Sequence, residues 1–147
     1  MKMIILSLSI IFFLTSSNAQ NENQGIAEQE IKKLSHEWMV AAMTRDEKTL
    51  NKIVAPEFKL GGTNLDNPGI LRDIWMKNTM ENLKIDSIKY IQIKVDVIDV
   101  VAIVRSTFYW SVSFRDMPAK KDTVDLVDTW IKRVPGWQVV SRLVVDK

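Results

Sequence analysis

The stretch from Val100 to Arg115, VVAIVRSTFYWSVSFR, decides the fold of this chain. Its side chains alternate between two rows, and such a period of two over this length is typical of a half-buried β-strand and foreign to a helix. The row predicted to face the core is Val100, Ala102, Val104, Ser106, Phe108, Trp110, Val112 and Phe114. The opposite row is polar, with Arg105, Thr107, Tyr109, Ser111, Ser113 and Arg115.

The same period continues on both sides of this strand. Before it, the odd positions Lys89, Ile91, Ile93, Val95 and Val97 form a row that we expect to be buried. After it, turns at 116–119 and at Pro135-Gly136 separate a strand around 124–130 from a last strand at 137–145. Because the connections are short, these four strands are predicted to form an antiparallel meander.

The N-terminal half has a helical period instead. Apolar residues at helical spacing predict an amphipathic helix over about 26–45. Asp46 is expected to cap a second, short helix that ends before Pro56. Short strands at 57–60 and 63–65 follow, and then a third helix from Pro68 to about Leu83, with Asn67 as its cap. Helices first and strands later indicate an α+β domain, with helices packed on one face of a curved antiparallel sheet.

The first residues carry the pattern of a secretory signal peptide. Lys2 precedes the apolar run Met3 to Leu14, and small and polar residues lead to Ala19. The run is shorter than the roughly 20 residues that span a bilayer. The sequence therefore predicts a cleaved leader at 1–19, a flexible mature end at 20–25 and a single domain at 26–147. We expect an exported protein, periplasmic or secreted, with no stable membrane anchor after cleavage.

Charge and composition narrow the classes of function. Removal of Lys2 with the leader leaves 19 of the 20 basic residues against 18 acidic ones, a balance that gives no electrostatic reason to bind nucleic acid. The chain has no cysteine, so its stability must come from packing and the sheet. His36 is the only histidine, which argues against a catalytic triad or a multi-histidine metal site. We expect neither a metal nor a cofactor.

Asp128 interrupts a row of core-facing side chains. In the strand at 124–130 the even positions are Val124, Leu126, Asp128 and Trp130. A carboxylate among such neighbours must be paired, hydrogen-bonded, protonated or facing a cavity. It can be a general base in an apolar pocket, or a structural acceptor for backbone N–H groups or a helix hydroxyl. Asp66 is a second candidate acid, or simply a turn residue.

Aromatic side chains are concentrated on the predicted core-facing rows. They form an aromatic core or line a cavity for a flat apolar ligand. Ser106 and Ser141 add small polar groups on the same faces. The candidate ligand-binding residues are Trp38, Trp75, Phe108, Trp110, Asp128 and Trp130.

Four segments resemble a known superfamily. They are Leu34 to Asp46 with Trp38, Leu50 to Phe58 with Pro56-Glu57-Phe58, Val127 to Arg133, and Gly136 to Arg142. The chain resembles the nuclear-transport-factor-two-like superfamily, and within it the SnoaL-like and ketosteroid-isomerase-like small domains. The resemblance covers nearly the whole mature chain.

The resemblance implies a cone-shaped domain in which a curved sheet wraps around a long N-terminal helix, with two shorter helices and a cavity open at one end. Relatives include isomerases, dehydratases, cyclases, ligand-binding subunits and structural dimers, so the fold assigns no reaction. Enzymes of this superfamily usually place a carboxylate or a histidine on the concave side. Here Leu143 stands where many relatives have that histidine.

Three functional hypotheses follow. The first is an exported domain that binds a small, largely apolar molecule in its cone. The second is an enzyme of the isomerase or dehydratase type with Asp128 as general base. The third is an interaction module that has a filled cone and forms a homodimer through the outer sheet face, which carries Arg105, Thr107 and Tyr109.

Overall fold

The structure is a computed structural model that describes residues 8–64, 66 and 68–145, with side chains from residue 22 onward. Its elements are α1 (Leu8–Thr44), α2 (Glu47–Ile53), β1 (Val54–Gly62), β2 (Ile70–Leu71), α3 (Arg72–Lys77), a π-helix (Asn78–Asn82), β3 (Leu83–Ile98), β4 (Val101–Phe114), β5 (Lys120–Lys132) and β6 (Trp137–Val145). Residues 1–7 of the predicted leader lie outside the described residues, and residues 8–19 form the first part of α1.

The strands form one six-stranded sheet in the order β2-β1-β6-β5-β4-β3. Strands β3 to β6 pair antiparallel with their neighbours along the chain, which confirms the predicted meander. The expectation of a wholly antiparallel sheet is wrong, because β1 pairs parallel with β6. The α+β class, with a long N-terminal helix inside a curved sheet, is confirmed.

The first two helices agree with the sequence pattern over 26–53. Arg45 has a φ of 57°, a left-handed conformation that ends α1. The Asp46 carboxylate then accepts a hydrogen bond from the backbone N–H of Thr49 at 3.1 Å, as expected of a helix cap. The start of α1 differs from the prediction, since the helix begins at Leu8 and not near residue 26.

The third helix starts later than predicted. It begins at Arg72 and not at Pro68, while the expected cap, Asn67, lies outside the described residues. Ile70–Leu71 forms a strand that pairs with β1, and the strand expected at 63–65 is absent at Thr63 and Asn64. Gly69 has a φ of 69°, and a Cβ there would lie 2.6 Å from the carbonyl oxygen of Leu60. A glycine is required to bring β2 against β1, and this pairing overrides the helix start at Asn-Pro.

Bulges in β3 reverse which side chains face inward. Asp86 and Ile91 are extra residues, because Ile85 pairs with Val112 and Ser87 with Ser111, and the register shifts again after Tyr90. The inward side chains therefore have odd residue numbers before the first bulge, even numbers between the two bulges, and odd numbers again after the second. The predicted buried row is wrong at Lys89 and Ile91, which is 53% exposed, and correct at Val95. Bulges increase bend and twist, and here they curve the sheet around α1.

The core lies between α1 and the inner face of the sheet. Its largest fully buried side chains are Trp38 from α1, Phe58 from β1, Phe108 from β4 and Trp130 from β5. The ring of Trp38 meets those of Phe58 and Trp130 edge to face, at centroid distances of 5.7 and 6.0 Å. Edge-to-face contacts are a favourable arrangement for aromatic pairs, so this cluster joins α1 to β1 and to β5.

Candidate functional site

A largely apolar cavity of about 220 Å³ lies between α1, the π-helix and the inner face of β4, β5 and β6. Met39, Trp75, Phe108, Trp110 and Leu126 form much of its wall. Its polar lining groups are Asn78, Thr79 and Arg142. Among the described residues that line it, Arg142 is the only one with an ionisable side chain.

The π-helix brings two polar groups to this cavity. Its backbone bonds span five residues, as in the bond from the Leu83 N–H to the Asn78 carbonyl, so the turn is wider than in an α-helix. Asn78 and Thr79 lie in this wide turn and line the cavity. The side-chain oxygen of Asn78 accepts a hydrogen bond from the Asn82 amide at 3.0 Å, which holds it in place.

The predicted ligand-binding residues divide into two groups. Trp75, Phe108 and Trp110 line the cavity, together with Phe114. Trp38 and Trp130 are fully buried in the core and do not line it, and neither does Asp128. Asp66 lies in an exposed turn and is not among the residues that line the cavity. The inward-facing aromatic residues thus form two sets, one buried in the core and one lining the cavity.

Asp128 forms a buried two-point ion pair with Arg142. The Nε–H of Arg142 donates to Oδ1 of Asp128 at 2.7 Å, and an Nη2–H donates to Oδ2 at 2.8 Å. The two residues lie directly opposite each other on β5 and β6, and their side chains are 1% and 7% exposed. The partner is therefore an arginine of the neighbouring strand, not the backbone N–H or helix hydroxyl that we expected for the structural role.

Two further contacts hold the guanidinium of Arg142. Its carbon lies 3.8 Å from the centre of the Trp38 ring, a cation–π contact. An Nη1–H donates to the sulfur of Met39 at 3.1 Å. Burial acts to lower the pKa of Arg142, but the charge and hydrogen bonds of Asp128, aided by the hydroxyl of Tyr90, hold it above its ordinary value. The guanidinium is fixed in position and remains charged.

Tyr90 connects this pair to α1. Its hydroxyl donates to the backbone carbonyl of Ser35 at 3.3 Å, and its ring lies against Phe108 and the exposed His36. Burial raises the pKa of Tyr90 to about 12, although the Arg142 charge opposes the shift. The phenol is therefore neutral at ordinary pH.

A bulge explains why sequence periodicity missed Arg142. On β6, Val139 pairs with Trp130 and Ser141 with Thr129, so Val140 is an extra residue. The inward side chains change from Trp137 and Val139 to Arg142 and Val144. Strict alternation would have placed Ser141 and Leu143 inside, but Leu143 is 39% exposed. The inner position that we assigned to Leu143 is thus occupied by Arg142.

The position of Asp128 bears on its predicted role as a general base. A base must come within about 2.6–3.2 Å of the proton that it removes. Both carboxylate oxygens of Asp128 are bound by Arg142, and Asp128 does not line the cavity. This geometry supports the structural role, in which Asp128 orients Arg142, and catalysis by Asp128 stays a prediction without a geometric basis.

Two further features concern metals and membranes. Within the described part of the chain, no group of three or more His, Cys, Asp or Glu residues is arranged to hold a metal ion. Over the same residues, no helix combines the length and the apolar character that crossing a membrane requires.

The outer face of the sheet carries a shallow groove across β3, β4 and β5. Its side chains are mixed, and several of them pair with one another. Arg105 bonds Asp96 at 2.6 Å, and the Thr107 hydroxyl donates to Asp125 at 2.6 Å. This is the face on which the sequence suggested a homodimer contact.

The sequence matches no protein-family model and no curated protein. The structure, in contrast, is similar to an NTF2-like protein from Cytophaga hutchinsonii, with a TM-score of 0.72, 8% identity, and coverage of 81% of this chain and 97% of the other. It is also similar to the association domain of CaMKII from C. elegans, with a TM-score of 0.67, 12% identity, and coverage of 84% and 98%.

A third similar structure is a candidate ketosteroid isomerase from Shewanella frigidimarina, with a TM-score of 0.57, 11% identity, and coverage of 76% of this chain and 91% of the other. At these identities the similarity establishes the fold alone. The predicted resemblance is confirmed at that level, since the neighbours include NTF2-like proteins and a protein described as isomerase-like.

Removing one member of the buried pair should cost far more than removing both. We expect Arg142→Met to lower the free energy of unfolding by about 3–5 kcal/mol, because it leaves the Asp128 charge buried and unpaired. The double variant Asp128→Leu/Arg142→Met should lose less than this single variant. Urea unfolding followed by tryptophan fluorescence measures both. Arg105→Met removes an exposed pair and should cost at most about 1 kcal/mol; equal losses for Arg142→Met and Arg105→Met would contradict the buried pair.

Tyr90 should make the fold sensitive to alkaline pH. Its pKa is raised to about 12 in the folded state, so the unfolded chain releases the proton first. The contribution of Tyr90 to the free energy of unfolding is therefore fully present below pH about 10, and it is lost as pH rises toward about 12. Tyr90→Phe should flatten this loss in urea unfolding over that range, whereas Tyr109→Phe should leave it in place. An unchanged alkaline loss in Tyr90→Phe would show that another group causes it.

Proposed function

We propose that this NTF2-like domain binds a small, largely apolar molecule in the cavity between α1 and the sheet. The supporting observation is the cavity itself, which has mostly apolar walls and a few polar residues in its lining, the usual composition of a ligand site. An unfilled space of this kind also argues against the third hypothesis, in which the cone is packed solid.

The volume limits the size of the ligand. An apolar cavity of about 150 Å³ is known to hold benzene. The present cavity of about 220 Å³ therefore suits one ring with a small substituent, on the order of ten non-hydrogen atoms. A fused four-ring molecule would require the walls to move.

Catalysis is the weaker alternative. A proton-transfer enzyme needs a titratable group that reaches the substrate. The one ionisable side chain among the described lining residues is Arg142, whose raised pKa keeps it charged and unable to act as a base. A binding role requires no such group.

Ligand retention by the protein from its own host tests binding. We expect native mass spectrometry to detect the polypeptide plus a small organic molecule, and the same spectrum reports whether the chain is a monomer or a dimer. Val124→Trp adds a large ring at the cavity and should abolish retention. Val127→Trp is the matched control, because it lies on the outer face of the same strand and should retain the ligand. Equal retention by both variants would contradict binding in the cavity.

We also propose that the domain acts after export, periplasmic or secreted, on the strength of the leader pattern at 1–19. Cleavage after Ala19 would shorten α1 at its N-terminal end, and the described side chains of α1 that pack on the core begin at Ala27, beyond that point.

The expected result is a mature protein that starts at Gln20, detected by the intact mass of the protein recovered from host fractions. A chain beginning at Gln20 should unfold at the same urea concentration as the full chain, since the described core contacts of α1 are retained. An unprocessed chain in the cytosolic fraction would contradict export and would leave the binding proposal unaffected.

A further inference from the structure

We propose that the ligand of this cavity is electrically neutral and carries one accepting oxygen, of the ketone, aldehyde, ester or amide type, which receives a hydrogen bond from Arg142. The inference rests on the proposed function, because it specifies the chemical class that the same cavity selects. It comes from the charge balance of the Asp128–Arg142 pair and from the groups that surround it.

The guanidinium of Arg142 has more N–H donors than the described partners use. An arginine presents five N–H groups in a fixed plane. Two of them bond Asp128, one bonds the sulfur of Met39, a weak acceptor, and one interacts with the Tyr90 hydroxyl, which leaves a fifth. Arg142 also lines the cavity. The proposed hydrogen bond to a ligand oxygen uses this remaining donor capacity.

The buried pair of Asp128 and Arg142 has no net charge. The positive charge of Arg142 is matched by Asp128 through two short bonds, and both side chains are almost completely buried. No second cationic side chain is found among the described residues that line the cavity. A carboxylate ligand would therefore bring an uncompensated negative charge into a mostly apolar space, which is costly.

The three possible ligand types then rank by the cost of their polar groups. A neutral carbonyl offsets its loss of water with a hydrogen bond from a charged donor. A hydrocarbon covers the guanidinium and leaves that donor without an acceptor, which is unfavourable in a buried site. A carboxylate gains the hydrogen bond but carries the unbalanced charge. The neutral carbonyl should bind most tightly.

Three probes of nearly identical size and shape test this ranking on the full chain. Acetophenone carries a neutral carbonyl, α-methylstyrene replaces that oxygen by a methylene group, and benzoate is an anion. Titration calorimetry should give acetophenone on the order of tenfold tighter binding than either of the others, as expected for one hydrogen bond to a charged group. Quenching of Trp75 and Trp110, which line the cavity, provides a second readout.

The possible outcomes separate the two proposals. Equal binding of acetophenone and α-methylstyrene would overturn the hydrogen bond to Arg142 while leaving a ligand cavity. Benzoate binding as tightly as acetophenone would overturn the argument from charge. If none of the three probes binds, the cavity does not accept molecules of this size, and the proposed function fails together with the inference.

A charge-changing variant provides a sharper test. Asp128→Asn keeps the side chain nearly the same size and leaves Arg142 with a net positive charge, so benzoate should gain on the order of tenfold relative to acetophenone. Asp125→Asn removes a carboxylate from the outer groove on the same strand and should leave the preference unchanged. An unchanged preference in folded Asp128→Asn would overturn the argument from charge, and if this variant does not fold, the ranking of the wild-type protein decides.

Discussion

The ion pair between Asp128 and Arg142 is the constraint on which the rest of the site depends. A carboxylate and a guanidinium buried to this degree are tolerated only when each satisfies the other, and the two-point geometry requires them to face each other across neighbouring strands. The pair therefore fixes the register of β5 against β6. It also fixes α1, because Trp38 lies against the guanidinium and Met39 accepts one of its hydrogen bonds. The cavity lies beside a rigid polar group.

Much of the fold follows from the sequence pattern, and the exceptions have physical causes. The period of two located the meander and placed Phe108 and Trp110 correctly on the inward row of β4. Val100, predicted to face the core on the same row, lies in the turn before β4 and is 47% exposed. The same alternation predicted the wrong inward side chains in parts of β3 and β6, because each bulge adds one residue and moves every later side chain to the other face. The parallel pairing of β1 with β6 was also missed, since it joins strands that are far apart in sequence. The one signal for Arg142 was Asp128, because a carboxylate in an apolar row must be paired, hydrogen-bonded, protonated or facing a cavity, and a cation on an adjacent strand is one way to pair it.

The fold of this protein does not by itself identify its function. Similar structures include the association domain of CaMKII and a candidate ketosteroid isomerase, so one backbone serves assembly in one case and is linked to chemistry in another. Because the fold is shared, differences in function must come from the side chains of each site. In this chain the described residues that line the cavity are apolar except for Asn78, Thr79 and Arg142, and the charge of Arg142 is matched by Asp128.

The two bulges of β3 have a consequence for the behaviour of the protein at high concentration. The strand is 16 residues long and lies at the edge of the sheet, so its outer side presents backbone N–H and C=O groups that none of the described strands pairs with. Such an edge is a template for pairing with other chains. Asp86 and Ile91 break the regular spacing of these groups, and the exposed Lys84 and Lys89 add charge along the strand. The residues that bend the sheet around its helix thereby also protect the protein against edge-to-edge aggregation.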